Sequence, residues 1–347
     1  MWNFTMVYNF KNDYTQGLHP NILEALKQTN TDQQEGYGND LYCRKAVQIL
    51  RQKIQNSDAD IHFVSGGTQA NAIVIASVLK PYESVIAADT GHINVHEAGA
   101  IENVGHKINV VKSENGKLSC ESIQPILDEH SDEHMVKPRL VFISNATETG
   151  TLYTKKELKT LSSFCKSNQL LLYLDGARIG CALCSTKNDL TLPELSNLVD
   201  VFYIGGTKNG AMLGEAVVIN NDTLKPGFRF HLKQKGALLA KSRIFGLQFI
   251  ELFKDDLYFR LANHANAMAL KLSTTIEKMG FQFLSKSFTN QIFPIFAHDI
   301  IEHLSKAYGF YIWKKLDNKT SAIRLVTSWA TKEEAVDSFL ERLKSYQ

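Results

Sequence analysis

The sequence predicts an α/β protein in which helices cover both faces of a mostly parallel sheet. Near-continuous apolar runs, typical of strands buried on both faces, alternate with helical segments between about residues 60 and 220. The pattern of apolar segments changes near residue 250. A chain of 347 residues is also longer than one hydrophobic core usually holds. We therefore expect a large domain at residues 1–250, with its N-terminal segment 1–17 near the functional site, and a small α+β domain at residues 251–347.

Seven short apolar segments are predicted to form the sheet of the large domain. They cover residues 61–66, 84–89, 106–112, 139–145, 170–175, 200–206 and 214–220. A helix is predicted at 68–79, and Thr154 with Glu157 forms a capping box that opens another. Ahead of the sheet, Pro20 marks a helix start. The apolar face of that helix is expected to carry Ile22, Leu23 and Leu26.

The C-terminal part of the chain has a different pattern. An amphipathic helix is predicted to end at Gly280, and strands are predicted at 289–296 and 322–329. Thr331 and Glu334 are expected to cap a final helix. The buried residues of that helix are expected to be Val336, Phe339, Leu340 and Leu343.

The composition limits the class of partner. The net charge is +2, with 38 basic and 36 acidic residues well mixed, which argues against nucleic-acid and membrane partners. The longest apolar stretch, 72–79, is too short to span a bilayer, and no signal peptide is expected. Five irregularly spaced cysteines argue against disulfides and favour a cytoplasmic setting. Cys181 and Cys184 lack a second ligand pair, so we expect small buried residues rather than a redox or metal pair.

Two of the predicted strand ends carry residues suited to holding an anion and a ring nitrogen. The turn SGGTQAN contains Gly67 and Thr68 at a helix start, which suits a phosphate, although a capped tight turn is an equal alternative. Asp175 ends the strand LLLYLD and is followed by Gly176, Ala177 and Arg178. Its carboxylate is suited to a protonated ring nitrogen, and the alternative is a helix cap paired with the arginine.

Two further strand ends carry an amine and an imidazole. Lys208 follows the glycines of YIGGTK, where desolvation would lower its pKa for Schiff-base chemistry; the alternative is an ordinary surface lysine. His92 follows the strand SVIAAD, where it could stack on a planar ligand or move protons. His96 and Glu97 follow it, but the order H-E-x-x-H is absent, so we expect no metal.

Together these residues are the parts needed to hold pyridoxal phosphate. In the combination of SGGTQAN, DGAR and the lysine after GGT, the chain resembles the β-eliminating lyase family, and within it the low-specificity L-threonine aldolases. The similarity runs from KNDYTQGLHP to RLVTSWATKEEAV, nearly the whole chain. The resemblance implies the fold-type I architecture of pyridoxal phosphate enzymes, with Lys208 as the residue that carries the cofactor.

The resemblance also implies roles for substrate-binding residues. Arg178 and Arg324 are expected to hold the substrate carboxylate, for which planar guanidinium groups are suited. Asn12 stands where relatives have a serine that helps to hold the substrate. Glu148 stands where well-known aldolases have a histidine near the β-hydroxyl group. We expect cleavage of a β-hydroxy-α-amino acid to glycine and an aldehyde, with either His92 or Glu148 as the base.

The resemblance implies a homodimer or a homotetramer. The segments 36–40 and 233–243 match regions that reach an active site across a subunit interface, where Lys241 or Arg243 could meet the cofactor phosphate. Alternatives to the aldolase are another pyridoxal phosphate lyase, which eliminates a β-substituent, and an aminotransferase. A nucleotide-binding module is disfavoured because no G-x-x-x-x-G-K-[ST] or G-x-G-x-x-G pattern is present. A non-catalytic relative is disfavoured because Lys208, Asp175, Arg178 and Arg324 are all retained.

Overall fold

The computed structural model of the chain describes residues 7–346, so the first six residues of the N-terminal segment 1–17 lie outside it. The strands are β1 (Tyr8–Asn9), β2 (Asp60–Val64), β3 (Glu83–Ala88), β4 (Ile108–Val111), β5 (Lys137–Ser144), β6 (Leu171–Asp175), β7 (Val201–Gly205), β8 (Glu215–Ile219), β9 (Gln291–Ile292), β10 (Ile295–Ala297), β11 (Tyr308–Gly309), β12 (Tyr311–Lys315) and β13 (Thr320–Val326).

The helices alternate with these strands. They are α1 (Pro20–Gln28), α2 (Leu41–Ile54), α3 (Gly67–Val78), α4 (His92–Val95), α5 (Ala100–Asn103), α6 (Cys120–Glu129), α7 (Lys155–Ser167), α8 (Ile179–Leu183), α9 (Leu192–Ser196), α10 (Phe228–Gln234), α11 (Arg243–Phe253), α12 (Leu257–Lys278), α13 (His298–Ser305) and α14 (Glu333–Lys344). Single 3₁₀ turns occur at Asp222–Leu224 and Lys254–Asp256.

The seven predicted strands of the large sheet are confirmed. In the described part of the chain they pair in the order β2-β8-β7-β6-β5-β3-β4. Strands β4, β3, β5, β6 and β7 run parallel, and β8 is antiparallel to both β2 and β7. The expectation of a mostly parallel sheet is therefore correct, and the carboxyl ends of its parallel strands meet at one edge.

Both faces of the sheet are buried. Successive residues of β6 belong alternately to two hydrophobic clusters, Leu172 and Leu174 to one and Leu171 and Tyr173 to the other. Side chains of a strand point alternately to opposite faces, so each cluster lies on one face. This explains why the strands appear in the sequence as unbroken apolar runs.

The C-terminal residues form a smaller sheet and a cluster of their own. Strand β13 pairs with β10, β12 and β9, all antiparallel. Helix α12 contacts both parts, because Tyr258 packs in the core of the large sheet and Leu272 in the C-terminal cluster. The N-terminal Phe10 also packs in that cluster, and β1 pairs with β11. The division into domains at residue 250 stays a prediction.

Several local predictions can be compared with the structure. The capping box of Thr154 and Glu157 is present, and Pro20 is the first residue of α1. On that helix Ile22 is buried, but Leu23 is 61% exposed, so its predicted place on the same apolar face as Ile22 is wrong. The buried residues of α14 are those predicted.

The predicted cap of the last helix is wrong. Helix α14 has Lys332 as its N-cap, without a side-chain capping bond. The hydroxyl of Thr331 instead accepts the backbone N–H of Ser328 at 2.7 Å. The threonine therefore closes the preceding turn, and the helix begins two residues after it.

The predicted packing role of the cysteine pair is confirmed. Cys181 is buried against Ala262 and Ala265, and the partly buried Cys184 packs beside them. Both cysteines are free thiols. Burial raises the pKa of Cys184 to about 11, which leaves its thiol protonated and unreactive at neutral pH.

Helices α2 and α11 pack closely beneath the sheet, and a glycine permits their approach. A Cβ atom at Gly246 would lie well inside van der Waals contact with the backbone of Tyr42 and Cys43. Backbone atoms cannot move aside as a flexible side chain can.

We expect Gly246→Ala to lower the free energy of unfolding by about 1–3 kcal/mol, because the added methyl group forces the two helices apart. Glu251→Ala, on the same helix, is the control and is expected to change it by about 0.5 kcal/mol at most. Urea denaturation measures both. Equal stability of the two variants would show that the helix contact tolerates a side chain.

Candidate active site

The predicted site residues come together at the carboxyl edge of the large sheet. Thr68 follows β2, His92 follows β3, Glu148 follows β5, Asp175 ends β6 and Lys208 follows β7. Parallel strands place their carboxyl ends side by side, so residues far apart in the chain share one cleft.

Asp175 is buried and fully supplied with hydrogen bonds. Its Oδ1 accepts the Tyr203 hydroxyl at 2.5 Å and the Ala177 N–H at 2.9 Å, and its Oδ2 accepts the Asn71 amide at 3.2 Å. No bond joins Asp175 to Arg178 among residues 7–346, so the alternative of a capping aspartate paired with that arginine is wrong. The carboxylate is instead held rigid by neutral donors, which leaves its charge available to a ligand.

A buried network connects Asp175 to His92. Asn71 donates to Glu97 Oε1 at 2.7 Å as well as to Asp175, and its own oxygen accepts the Tyr173 hydroxyl at 2.8 Å. Glu97 Oε1 lies 2.7 Å from His92 Nδ1. A carboxylate at Nδ1 orients an imidazole and favours the tautomer with the proton on that nitrogen, so Nε2 is free to accept a proton.

Glu148 is partly buried beside His92. Its Oε1 accepts the Ser144 hydroxyl at 2.7 Å and the backbone N–H of His92 at 3.1 Å. Burial, and secondarily the nearby Asp175, raise the pKa of Glu148, whereas the bond from Ser144 opposes the shift. A raised pKa favours the neutral carboxyl, which can donate a hydrogen bond.

Lys208 is held without a hydrogen-bond partner for its amine among the described residues. Burial and the positive charge of Arg178 lower the pKa of Lys208, against the attraction of Asp13, Asp175 and Glu215. An amine with a lowered pKa is more often neutral and therefore nucleophilic. The alternative of an ordinary surface lysine does not fit this environment.

Glu215 is a buried carboxyl behind Lys208. It lies opposite Gly205 in the ladder of β7 and β8, and its Oε2 accepts the Gly206 N–H at 2.9 Å. Burial raises the pKa of Glu215 to about 7, and the Thr207 hydroxyl and the Lys208 charge limit the rise.

The SGGT turn leaves the first amides of α3 unoccupied. The N-cap Gly66 has no side chain, and the Gln69 amide oxygen bonds to Ser65 rather than to the helix. Gly67 and Thr68 line an open cleft together with Lys235. An uncapped helix N-terminus with backbone N–H groups facing a cleft fits a phosphate, which favours the anion site over the simple capped turn.

The basic residues predicted to meet a phosphate lie elsewhere within this chain. Arg243 donates to the backbone carbonyls of Thr29 and Asp32 and stacks over Tyr42 at 5.1 Å. Lys241 is exposed. Their approach to a phosphate across a subunit interface stays a prediction.

Arg178 forms a buried ion pair. Its Nε donates to Asp13 Oδ2 at 2.7 Å and its Nη2 to Asp13 Oδ1 at 3.0 Å. Asn290 donates to the same aspartate at 2.9 Å. Although burial alone opposes the charge, the paired Arg178 outweighs it and lowers the pKa of Asp13. The arginine is thus fixed along one edge, and its Nη1 remains available.

Arg324 is a partly buried cation without a counter-ion among the described residues. Its Nη2 donates to the carbonyl of Lys11 at 3.3 Å, and its buried Nε has no partner. Burial, followed by the charge of Arg178, lowers the pKa of Arg324. Gln291 lies opposite Val326, which is two residues from Arg324 on β13 and therefore points to the same face of the sheet. The buried side-chain amide of Gln291 also lacks a hydrogen-bond partner among the described residues. The unpartnered Nε of Arg324, close enough to Arg178 to be influenced by its charge, fits a bound carboxylate.

Asn12 lies between the residues that contact the two arginines. Arg324 bonds to Lys11 and Arg178 bonds to Asp13. The Asn12 oxygen accepts the Tyr14 N–H at 3.1 Å, so its amide group closes a local turn. Its predicted contact with a substrate stays a prediction.

Four residues of the site were missed in the sequence: Asn71, Glu97, Asp13 and Glu215. Asn71 is a polar residue within an apolar helix and Glu215 is an acidic residue at the start of an apolar strand. Those breaks in pattern are signals that could have found them. Asp13 and Glu97 stand in irregular segments, where no periodicity distinguishes a buried acid from an exposed one.

The site fits pyridoxal phosphate on these observations. A cleft at an uncapped helix holds a phosphate, Asp175 faces the site as a rigid carboxylate, and Lys208 has an unpaired amine. The fold and the site therefore define an enzyme that depends on this cofactor. Among residues 7–346 no group of three or more His, Cys, Asp or Glu residues is placed to hold a metal ion. No helix in the same residues has the length and apolar character that crossing a membrane requires.

Comparisons with known proteins agree with this class. The model of the β-eliminating lyase family matches residues 10–299. The chain is 34% identical over 334 residues to a low specificity L-threonine aldolase of Pseudomonas sp. (strain NCIMB 10558), covering 94% of each chain. A solved threonine aldolase of Leishmania major is 47% identical, with a TM-score of 0.97 over 98% of this chain and 99% of that one.

The chain belongs to the β-eliminating lyase family. A more distant structure, of an enzyme called SPT with bound pyridoxal phosphate, has a TM-score of 0.72 at 14% identity, covering 98% of this chain and 87% of that one, and so shares the fold. The predicted family, the fold-type I architecture and the pyridoxal phosphate cofactor are confirmed. The protein is a lyase that depends on pyridoxal phosphate.

The raised pKa of Glu215 makes the folded protein bind a proton that the unfolded chain has released. Between the ordinary pKa of 4.5 and the folded value of about 7, stability should therefore fall as the pH rises. After removal of cofactor, we expect the free energy of unfolding to decrease less between pH 5 and pH 8 in Glu215→Gln than in the wild type. The difference should be on the order of 3 kcal/mol.

Glutamine keeps an oxygen for the Gly206 N–H, so the backbone contact is preserved. The exposed Glu133→Gln is the control and should follow the wild type at every pH. Parallel curves for wild type and Glu215→Gln would show that this carboxyl is not protonated in the folded protein.

Proposed function

We propose that this enzyme cleaves the Cα–Cβ bond of β-hydroxy-α-amino acids of the threonine or allo-threonine type, giving glycine and an aldehyde. The single observation that carries the proposal is the position of Arg178 and Arg324. These two guanidinium groups are suited to bind a carboxylate, and Arg178 lies close enough to influence the charge of both Arg324 and Lys208. The names of the relatives in Pseudomonas and Leishmania support the same reaction.

The two arginines select the bond that breaks. Arg178 is oriented by its bidentate pair with Asp13, and Arg324 presents a cation that lacks a counter-ion among residues 7–346. A carboxylate bound between them is fixed at two points, which restricts rotation of the substrate about Cα. With the carboxylate fixed, the Cβ substituent is directed towards His92 and Glu148.

Lys208, Asp175, Gly67, Thr68 and His92 are the residues that would hold the cofactor. Bound pyridoxal phosphate is attached through a lysine amine and supplies an electron sink for bonds at Cα. Lys208 offers the amine, and the SGGT turn offers its backbone N–H groups to the phosphate. The Asp175 carboxylate would stabilise a protonated ring nitrogen, and His92 would pack against the ring face.

Two residues handle the proton of the β-hydroxyl group. His92 is held at Nδ1 by Glu97, so its Nε2 can accept the proton as the Cα–Cβ bond breaks. A neutral Glu148 carboxyl, favoured by its raised pKa, can donate a hydrogen bond to the same oxygen. In this arrangement Glu148 takes the place of the histidine in well-known aldolases as a donor rather than as a base.

We further propose a cytoplasmic homodimer or homotetramer that takes an α-amino acid as its substrate and has no nucleic-acid or membrane partner. The free thiols support a reducing setting. Two large apolar side chains are exposed on or beside α10, Phe230 at 82% and Tyr37, which contacts Lys233 of that helix, at 44%. An exposed apolar surface of this kind suits a second copy of the chain.

The proposed reaction is tested by incubating the holoenzyme with threonine, allo-threonine and phenylserine. We expect glycine and the matching aldehyde in equal amounts, and none from Lys208→Ala, because that variant lacks the amine that attaches the cofactor. Lys187→Ala serves as the control lysine, since it lies outside the site. Keto-acid or ammonia release without glycine would instead identify an aminotransferase or a β-eliminating enzyme.

Asp175→Asn should keep the cofactor bound but lower kcat about 10²-fold, because the amide cannot stabilise a protonated ring nitrogen. The matched control is Tyr203→Phe, which removes one hydrogen bond from Asp175 and keeps its charge. The decrease in kcat of Tyr203→Phe should be clearly smaller than that of Asp175→Asn. Absorbance of bound cofactor and steady-state kinetics measure the two effects, and a near-wild-type rate in Asp175→Asn would exclude the proposed role.

A further inference from the structure

The C-terminal sheet directs one tryptophan towards the active site. Strand β12 is an edge strand, and four of its five residues are exposed, whereas Trp313 is partly buried. The register with β13 shifts between Ile312 and Lys314, so Trp313 has no ladder partner of its own. A β-bulge bends a strand and re-aims a side chain, and bulges are frequent next to active sites.

The re-aimed ring of Trp313 contacts groups from three elements. Its centroid lies 4.8 Å from the Arg324 guanidinium carbon, 5.3 Å from the ring of Phe293 and 6.2 Å from the ring of His96. Phe293 is fully buried and supports the tryptophan from behind. Trp313, from the C-terminal sheet, and His96, at the end of α4, therefore form the two walls of an aromatic corner.

His96 contributes a neutral ring to this corner. Its ring nitrogens have no hydrogen-bond partner within residues 7–346, and its centroid lies 5.4 Å from that of His92. Burial lowers the pKa of His96, and the charges of His92, Arg324, Lys208 and Arg178 lower it further. The imidazole is therefore uncharged at neutral pH and can pack against an apolar group.

The corner lies where the side chain of a bound substrate must point. A carboxylate held by Arg324 and Arg178 starts beside Trp313, and a Cβ hydroxyl group near His92 lies beside His96. We propose that Trp313 and His96 form the subsite for the β-substituent, and that it prefers a planar aryl group to a methyl group. The inference rests on the proposed function and extends it to β-aryl-β-hydroxy-α-amino acids as the preferred substrate class.

A purely supporting role for Trp313 is the competing explanation. The ring could serve only to hold Arg324 by a cation–π contact. Tyr311 makes a contact of the same kind, at 5.7 Å from the Arg324 guanidinium carbon, without a ring contact to His96 or Phe293 within the described residues. Tyr311→Leu is therefore the matched control for Trp313→Leu.

The experiment compares kcat/KM for phenylserine and threonine in the holoenzyme. Trp313→Leu should lower the ratio of phenylserine to threonine about tenfold or more, since a changed apolar pocket discriminates on that scale. His96→Ala should lower the ratio in the same direction, and Trp313→Phe should restore most of it. Tyr311→Leu should affect both substrates alike. Thermal unfolding of each variant checks that the fold is intact.

A binding measurement separates the subsite from the reaction. L-Phenylalanine and L-alanine lack the β-hydroxyl group and cannot undergo the proposed cleavage, so titration calorimetry of the holoenzyme measures their affinity directly. The wild type should bind phenylalanine more tightly than alanine, and Trp313→Leu should reduce that preference about tenfold.

The outcomes distinguish the two proposals. If no β-hydroxy amino acid is cleaved but the phenylalanine preference depends on Trp313, the subsite stands and the proposed reaction fails. Cleavage could instead occur with the same phenylserine-to-threonine ratio of kcat/KM, and the same phenylalanine-to-alanine ratio of affinity, in wild type and Trp313→Leu. In that case the subsite is wrong and the reaction stands. Equal losses for both substrates in Trp313→Leu and Tyr311→Leu would assign Trp313 to the support of Arg324 alone.

Discussion

The active site depends on one buried amide, that of Asn71. Both of its hydrogens are used, at 2.7 Å to Glu97 and 3.2 Å to Asp175, and its oxygen accepts from Tyr173. A buried carboxylate is tolerated only when it is well supplied with hydrogen bonds. Asn71 contributes such a bond to two of them, and through Glu97 it thereby connects the carboxylate expected at the ring nitrogen of the cofactor to the imidazole expected against the ring face. A low-dielectric setting strengthens each member of such a network.

Charge is distributed unevenly over the two arginines, and this unevenness gives the site its specificity for an anion. Arg178 is neutralised by Asp13, which orients it, whereas Arg324 is left with aromatic rings and one carbonyl. If both had carboxylate partners, an incoming carboxylate would find no net attraction. If neither had one, two adjacent cations would repel each other in a poorly solvated site. One compensated arginine and one uncompensated arginine leave a deficit of one negative charge, which an amino acid carboxylate supplies.

The sequence predicted those features of the fold and site that depend on residues close together in the chain. Apolar runs identified every strand of the large sheet, and strand ends identified Asp175, His92 and Lys208, because parallel strands gather their ends at one edge. Contacts between distant segments carry no such signal. The pairing of Asp13 with Arg178 spans 165 residues, and nothing near Asp13 marks it as buried. The error at Thr331 arose from competition, since a hydroxyl that can cap a helix can also close the turn before it.

Two carboxyl groups of the site have raised pKa values, the partly buried Glu148 beside His92 and the buried Glu215 near Lys208. A raised pKa favours the protonated form of each carboxyl, which adds no charge to a site that already contains an uncompensated cation. A second ionised carboxylate near Asp175 would repel the charge of Asp175 and make the burial of the two groups less favourable. In this setting a glutamate can replace a histidine at position 148 because a neutral carboxyl, like an imidazole, offers one donor and one acceptor. The replacement therefore preserves hydrogen bonding to the β-oxygen, while the acceptance of its proton passes to His92.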